Sequence, residues 1–311
     1  MEFLESVFVA PFVEMWNYPA FLAELILVGL STGVLYSLVA LGFVLIFKAS
    51  GMFNFAQGAM VLFAALTLVG LMEQGLPLWA ALILSVAVMV ALAFLVERFM
   101  LRHLVNQDGL ILFMATIGLN YILEGSGQLF WGSDVKRLEV GIPDQPFDLG
   151  PILLNTFDIT AAGIGAVLVV TLAIFFQKTS MGRALRAVAD DHQAALSVGI
   201  PLKTIWITVW TIAGIVALVA GIVWGAKAGV QFSLSLIALK ALPVLILGGF
   251  TSVPGAIIGG LIIGVGEKVA EGFWGPAFGG AIENWFAYML ALVFLVFRPQ
   301  GLFGEKIIER V

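Results

Sequence analysis

The sequence predicts an all-α polytopic membrane protein, with about eight transmembrane helices and one further segment, near 235–250, that is re-entrant or broken. Three observations predict it. Of 311 residues, 61% are hydrophobic and only 11% charged, against roughly 25% charged in a soluble domain. The apolar residues gather into continuous runs that reach the roughly 20 residues an α-helix needs to cross hydrocarbon. Those runs lack the short alternating segments of a membrane β-barrel.

The opening stretch, MEFLESVFVAPFVEMWNYP, is acidic at Glu2, Glu5 and Glu14 and has no basic n-region, so it does not read as a cleaved signal peptide. Apolar runs at 20–47, 56–73, 77–97, 109–123, 157–177, 204–225, 254–272 and 284–298 then read as crossings. The piece at 235–250, SLIALKALPVLILGGF, is short and holds Lys240, Pro243 and a Gly pair, which makes it the re-entrant or broken segment. Glu267, Lys268 and Glu271 close the 254–272 run and read as solvated edge charges with local pairing.

Loop charge orients the chain. Arg98, Arg102 and His103 follow the third run, and Lys178, Arg183, Arg186 and Lys203 surround another loop. The stretch between these two regions carries Glu124, Asp134, Glu139, Asp144, Asp148 and Asp158 against Lys136 and Arg137. The positive-inside rule puts the basic loops in the cytoplasm and the acidic one outside. Arg298, Lys306 and Arg310 put the C-terminus in the cytoplasm as well. Residues 1–311 thus read as a single transmembrane domain, with an outer loop at about 124–156 and an inner segment at about 179–201. Each is too short for a core of its own.

Composition excludes several function classes. There are no cysteines, and His103 and His192 are the only histidines and lie far apart, so no metal site is expected. A net charge of −5 offers no basic surface to nucleic acid. No histidine, cysteine or paired-carboxylate constellation suggests a membrane-embedded enzyme.

The inner segment, TSMGRALRAVADDHQAALSVGIP, has helical punctuation. Ser180 is placed to cap a first helix, and Asp190 or Asp191 a second, short one that Gly199 closes. Ala194, Ala195, Leu196 and Val198 give that short helix small apolar side chains, with Arg183, Arg186, Asp190 and Asp191 around them. One reading is an amphipathic connector resting on lipid headgroups. The other is a protein-docking surface, favoured because Ala and Ser anchor weakly in lipid.

Three further places suggest a transport path. KASGMFNFAQG, residues 48–58, sets Asn54, Gln57 and Gly58 between two apolar runs, either as a turn with Asn54 as cap or as a discontinuous helix beside a path. Lys240 stands in an apolar run with Gln231 upstream of it, either to pair with a substrate carboxylate or to snorkel to the surface. Gly255 with Gly259, and Gly260 with Gly264, are four apart, the spacing of close helix packing.

MGRALRAVADDHQAALSVGI resembles the cytoplasmic coupling segment of ABC importer permeases of the branched-chain amino acid type. The likeness extends to FKASGMFNFAQGAM (47–60), LGGFTSVPGAIIGGLIIGVGE (247–267) and RPQGLFG (298–304). What the resemblance implies is a permease subunit of an ATP-driven importer in the bacterial inner membrane, carrying branched-chain or other hydrophobic amino acids. It implies no cofactor on this chain, with ATP and Mg held by two ATP-binding subunits that dock on residues 183–199. A second homologous permease subunit, a periplasmic substrate-binding protein and membrane lipid are the other implied partners. Relatives that carry urea, short amides or other small carboxylates leave substrate open, and a gradient-driven secondary transporter is the rival class. The family leaves the first 20 residues unassigned.

Overall fold

The computed structural model describes residues 2–104, 107–190 and 192–304. Asp191, Lys306 and Arg310 lie outside them, as does the side chain of Asp190. In chain order the helices are α1 (Glu2–Phe8), α2 (Ala10–Asn17), α3 (Pro19–Ser50), α4 (Gln57–Glu73), α5 (Leu78–Phe99), α6 (Gly109–Trp131), α7 (Thr156–Lys178), α8 (Ser180–Asp190), α9 (His192–Ser197), α10 (Leu202–Ala228), α11 (Ile237–Gly248), α12 (Val253–Phe278) and α13 (Glu283–Phe297). Among the described residues six helices, α3, α5, α6, α7, α10 and α12, are long and apolar enough to span a membrane, and α4, α11 and α13 are shorter apolar helices. The chain is an all-α polytopic membrane protein.

The segment expected to be re-entrant or broken is a 3-10 turn, Phe232–Leu236, followed by α11. With 12 residues, α11 is about 18 Å long, short of the roughly 30 Å hydrocarbon core. The outer loop expected from 124 begins only after α6 ends at Trp131, where Gly132 turns the chain with φ 80°. Residues 124–131 carry on the helix because EGSGQLFW contains no proline to stop it.

A small hairpin also forms there. Strands β1 (Pro146–Leu149) and β2 (Ile152–Asn155) pair antiparallel across Gly150 and Pro151. Gly150 supplies the positive φ, 65°, that a two-residue hairpin turn needs at its first central position. Asn155 then caps α7 by accepting the Phe157 N–H at 2.8 Å.

Two compact units divide the chain. One comprises Leu38–Val140 and Leu168–Leu239. Its centre is α4, which packs against α5, α6, α10 and the 3-10 turn. The run AMVLFAALTLVGL has no polar face, so the helix is stable only when covered on all sides. It is buried almost throughout, from Gln57 to Gly70. Gly221 of α10 lets that helix close in: a Cβ there would stand 2.6 Å from the Val61 carbonyl oxygen. Lys136, after α6, exchanges backbone hydrogen bonds with Val230 at 3.0 and 2.8 Å and pairs its ammonium with Glu73 at the end of α4.

The other unit comprises Met1–Ser37, Gly141–Val167 and Lys240–Val311. Here α12 is central. Near the N-terminus α1 and α2 lie against it: the Trp274 indole N–H donates to the Val7 carbonyl at 3.0 Å, and the rings of Phe12 and Trp274 meet edge to face at 5.6 Å. After α11 the backbone carbonyls of Leu247 and Gly248 accept from Leu302 and Phe303 at 2.8 and 3.2 Å. The stretch RPQGLFG therefore closes the C-terminal end of α11.

Candidate functional site

The link between α3 and α4 is built around Asn54. Gly51, with φ 66°, ends α3 by donating to the Phe47 carbonyl at 2.8 Å. Asn54 then accepts the Ala56 N–H on Oδ1 at 3.1 Å, a side chain turning its own backbone two residues on. Its Nδ2 donates to Gln57 Oε1 at 3.2 Å. Asn54 and Gln57 are both wholly buried. The Gln57 amide nitrogen has no acceptor among the described residues, and the amide lies against Gly42, where a Cβ would collide with it. Thr116 of α6 fixes the link from the side by accepting the Phe55 N–H at 3.1 Å. Residues 51–56 are thus a non-helical link between α3 and α4.

Gly58 stands where α4 meets the segment that follows Gln231. The Ser235 carbonyl lies against Gly58, and a Cβ on Gly58 would be 2.9 Å from that of Ala238. Gln231 precedes the 3-10 turn, and its carbonyl accepts from Leu234 at 2.9 Å.

The α12 glycines serve two neighbours. Gly260 and Gly264 face α3: a Cβ on Gly33 would be 2.7 Å from the Gly260 oxygen, and one on Gly29 would be 2.9 Å from the Gly264 oxygen. Gly255 and Gly259 face α11, where a Cβ on Gly259 would be 2.7 Å from the Val244 oxygen. Pairings of Gly29 with Val265, Gly33 with Leu261 and Gly260, and Ser37 with Ile257 run in opposite directions, so α3 and α12 are antiparallel.

Lys240 has an acid partner. Its ammonium lies 3.3 Å from Glu267 Oε1 and 3.5 Å from the Glu283 carbonyl oxygen. Glu267, expected as a solvated edge charge, is fully buried and accepts the Tyr36 hydroxyl at 2.9 Å. Helical side chains lean toward their own N-terminus. In antiparallel neighbours that lean brings Tyr36 and Glu267 together. The overlooked signal is spacing: Glu267 follows Gly264 by three and Gly260 by seven, which sets it on the packed glycine face.

The other two expected edge charges also reach beyond their own turn. Lys268 pairs with Glu283 at 2.8 Å. Glu271 accepts the backbone N–H groups of Ala281, Ile282 and Glu283 at 2.8, 2.7 and 3.1 Å, holding the turn into α13. Long-range partners of this kind leave no trace in local sequence.

The inner segment forms the two helices α8 and α9. Thr179, one residue before the expected Ser180, is the cap: its hydroxyl accepts the Gly182 N–H at 3.0 Å. The expected caps for α9, Asp190 and Asp191, fall outside the described residues in side chain and in whole. Gly199, with φ 84°, closes α9 with paired bonds from its own N–H to Leu196 and from Ile200 to Ala195, both 3.0 Å. Arg186 donates to the Phe176 carbonyl at 2.6 Å and Arg183 to that of Lys178 at 3.4 Å, so both reach carbonyls at the end of α7. Ala195, expected on the docking surface, is buried in the chain's own fold, 3% exposed, whereas Ala194, Leu196 and Val198 are exposed. On a helix, neighbouring residues point about 100° apart, so 194, 195, 196 and 198 do not share one face.

Among the described residues no three metal-ligating side chains come together. Comparison with known proteins matches residues 25–298 to the family described as branched-chain amino acid transport system / permease component. The chain is 32% identical over 300 residues to the high-affinity branched-chain amino acid transport system permease protein BraD of Pseudomonas aeruginosa, covering 91% of this chain and 96% of that one. It is 28% identical over 304 residues to the permease protein LivH of Escherichia coli K12, covering 91% and 96%. With its buried α4, its glycine-packed α12 and its paired α8 and α9, the chain belongs to the family of permease components of branched-chain amino acid transport systems.

Proposed function

We propose that this chain is one permease subunit of an ATP-driven importer of branched-chain or other hydrophobic amino acids in the bacterial inner membrane. The family match over residues 25–298 carries the reading, with support from the names of relatives that align over nine-tenths of the chain. ATP and Mg belong on two separate ATP-binding subunits, a second homologous permease completes the membrane part, and a periplasmic binding protein delivers substrate to the outer loop. The C-terminus is cytoplasmic, and residues 1–311 act as one permease domain.

Within this reading α8 and α9 are the handle for the ATP-binding subunit. Their exposed Ala194, Leu196 and Val198 offer apolar surface next to the rigid turn at Gly199. Arg183 and Arg186 tie α8 to the end of α7, so a push on α9 is passed to a membrane helix. Asn54, Gln57 and Gly58 shape the path by fixing the α3–α4 link, with Gln231 a further path residue of the same unit; Lys240 is a candidate substrate contact within the other unit.

The test is purification through a C-terminal tag followed by reconstitution into vesicles. Co-elution of an ATP-binding subunit and a second permease, with leucine uptake that needs ATP, is the expected result. Uptake by the chain alone on an ion gradient overturns it.

A further inference from the structure

Lys240 and Glu267 form a charged pair between α11 and α12. Glu267 is the fifteenth residue of α12, about 21 Å along the helix, and Tyr36 is past the midpoint of α3. Glu267 and Tyr36 are thus far from the ends of their own helices, while Lys240 is the fourth residue of α11. The carboxylate is fully buried, and the lysine side chain retains 20% of its exposure. Ion pairs removed from water are weak stabilisers, because desolvation offsets the attraction. A pair in such a position is more economically read as a site.

The pair is also loosely made. At 3.3 Å the contact exceeds the roughly 2.7–2.9 Å of a strong charged hydrogen bond. Lys240's other acceptor here is the Glu283 carbonyl at 3.5 Å. Glu267 is held more tightly from its other side, by Tyr36 at 2.9 Å. The lysine is therefore the movable partner, and the carboxylate the fixed one.

We propose that Lys240 and Glu267 are an exchange site for the zwitterionic head of the transported amino acid. This rests on the importer reading above. The α-carboxylate takes Lys240, the α-ammonium takes Glu267, and one internal ion pair becomes two with the substrate. Within the pair the charges of Lys240 and Glu267 sum to zero. Entry of a net-neutral zwitterion keeps that sum at zero, so no net charge is buried in low dielectric. A substrate lacking either charge would leave one member of the pair uncompensated.

The experiment uses the complete complex in vesicles, wild type and the neutral double variant Lys240→Met with Glu267→Gln. ATP-driven leucine uptake is measured, together with 13C–15N dipolar coupling between [1-13C]leucine and side-chain-15N lysine in a vanadate-trapped complex. Expected are a fall in uptake of at least tenfold and a coupling present in wild type and absent in the variant. Uptake within twofold of wild type overturns the site, and so does a wild-type complex without the coupling, since a merely structural pair lowers uptake without touching leucine. If the variant does not assemble, the wild-type coupling alone decides. A wild-type complex that hydrolyses ATP but takes up no amino acid overturns the importer reading itself, separately from any variant.

Discussion

Gly33 of α3 lies so close to Gly260 of α12 that a Cβ on Gly33 would be 2.7 Å from the Gly260 carbonyl oxygen and 2.8 Å from the Leu261 Cα. Both obstacles are backbone, which has no rotamer to move aside. Gly33→Ala therefore forces the helices apart, at a cost of about 1–3 kcal/mol typical of overpacking. A lower melting temperature of the detergent-purified chain is the expected result. Gly118→Ala is the control, because nothing stands within 4 Å of a Cβ there. That change is expected to be neutral or stabilising, since alanine favours a helix over glycine.

Glu271 joins α12 to α13 through three backbone N–H groups. Between them the chain turns through Gly279 and Gly280 and then Ala281, which takes φ 57° without being glycine. Removing the carboxylate in Glu271→Ala leaves those donors without their acceptor and destabilises by about 1–3 kcal/mol. Ala281→Gly is expected to act in the opposite sense. Relief of left-handed strain, about 1–2 kcal/mol, exceeds the roughly 0.5–1 kcal/mol that glycine's extra freedom removes. Thermal unfolding of the two variants, one shifted down and the other unchanged or up, checks both signs.

The helix plan is legible in this sequence because hydrocarbon tolerates only long apolar runs, and their edges fall within a few residues of the observed ends of α3, α5, α7 and α10. The shortness of α11 is legible from the Gly pair at its end, whereas Pro243 lies inside the helix without breaking it. What fails is partnership at a distance. Lys240 has no acid near it in sequence, and its acid is 27 residues away on another helix. Ala195 shares its composition with Ala194, and only the direction of the helix face separates the buried residue from the exposed one. The hairpin at 146–155 is hidden because Gly150 and Pro151 sit among residues too few to show alternation.

Thr179 supplies the cap of α8 and also donates to the Phe175 carbonyl at 2.7 Å, bridging the end of α7 to the start of the next helix. Thr179→Ala removes both bonds, and loss of a cap costs about 1 kcal/mol. Thr179→Ser keeps the hydroxyl and is expected to restore the melting temperature. Hydrogen exchange at the Gly182 and Arg183 amides checks the cause, with faster exchange in the alanine variant and wild-type exchange in the serine variant.

Val198 and Ala195, one in the turn that closes α9 and the other within the helix, allow a docking defect to be told from a folding defect. Val198 is 75% exposed and Ala195 3%. Val198→Arg adds a charged side chain to open surface, a change that leaves stability within about 0.5 kcal/mol. If this surface receives the ATP-binding subunit, the variant loses that subunit on co-purification while the chain's own melting temperature stays where it was. Ala195→Arg drives a long cation into a filled space and is expected to lower the melting temperature itself, whether or not a partner is present. Measuring melting temperature and co-purified ATP-binding subunit for both variants resolves the matter. A Val198→Arg chain that still carries its partner would place the docking surface elsewhere, and an Ala195→Arg chain of wild-type stability would mean that α9 turns a different face inward.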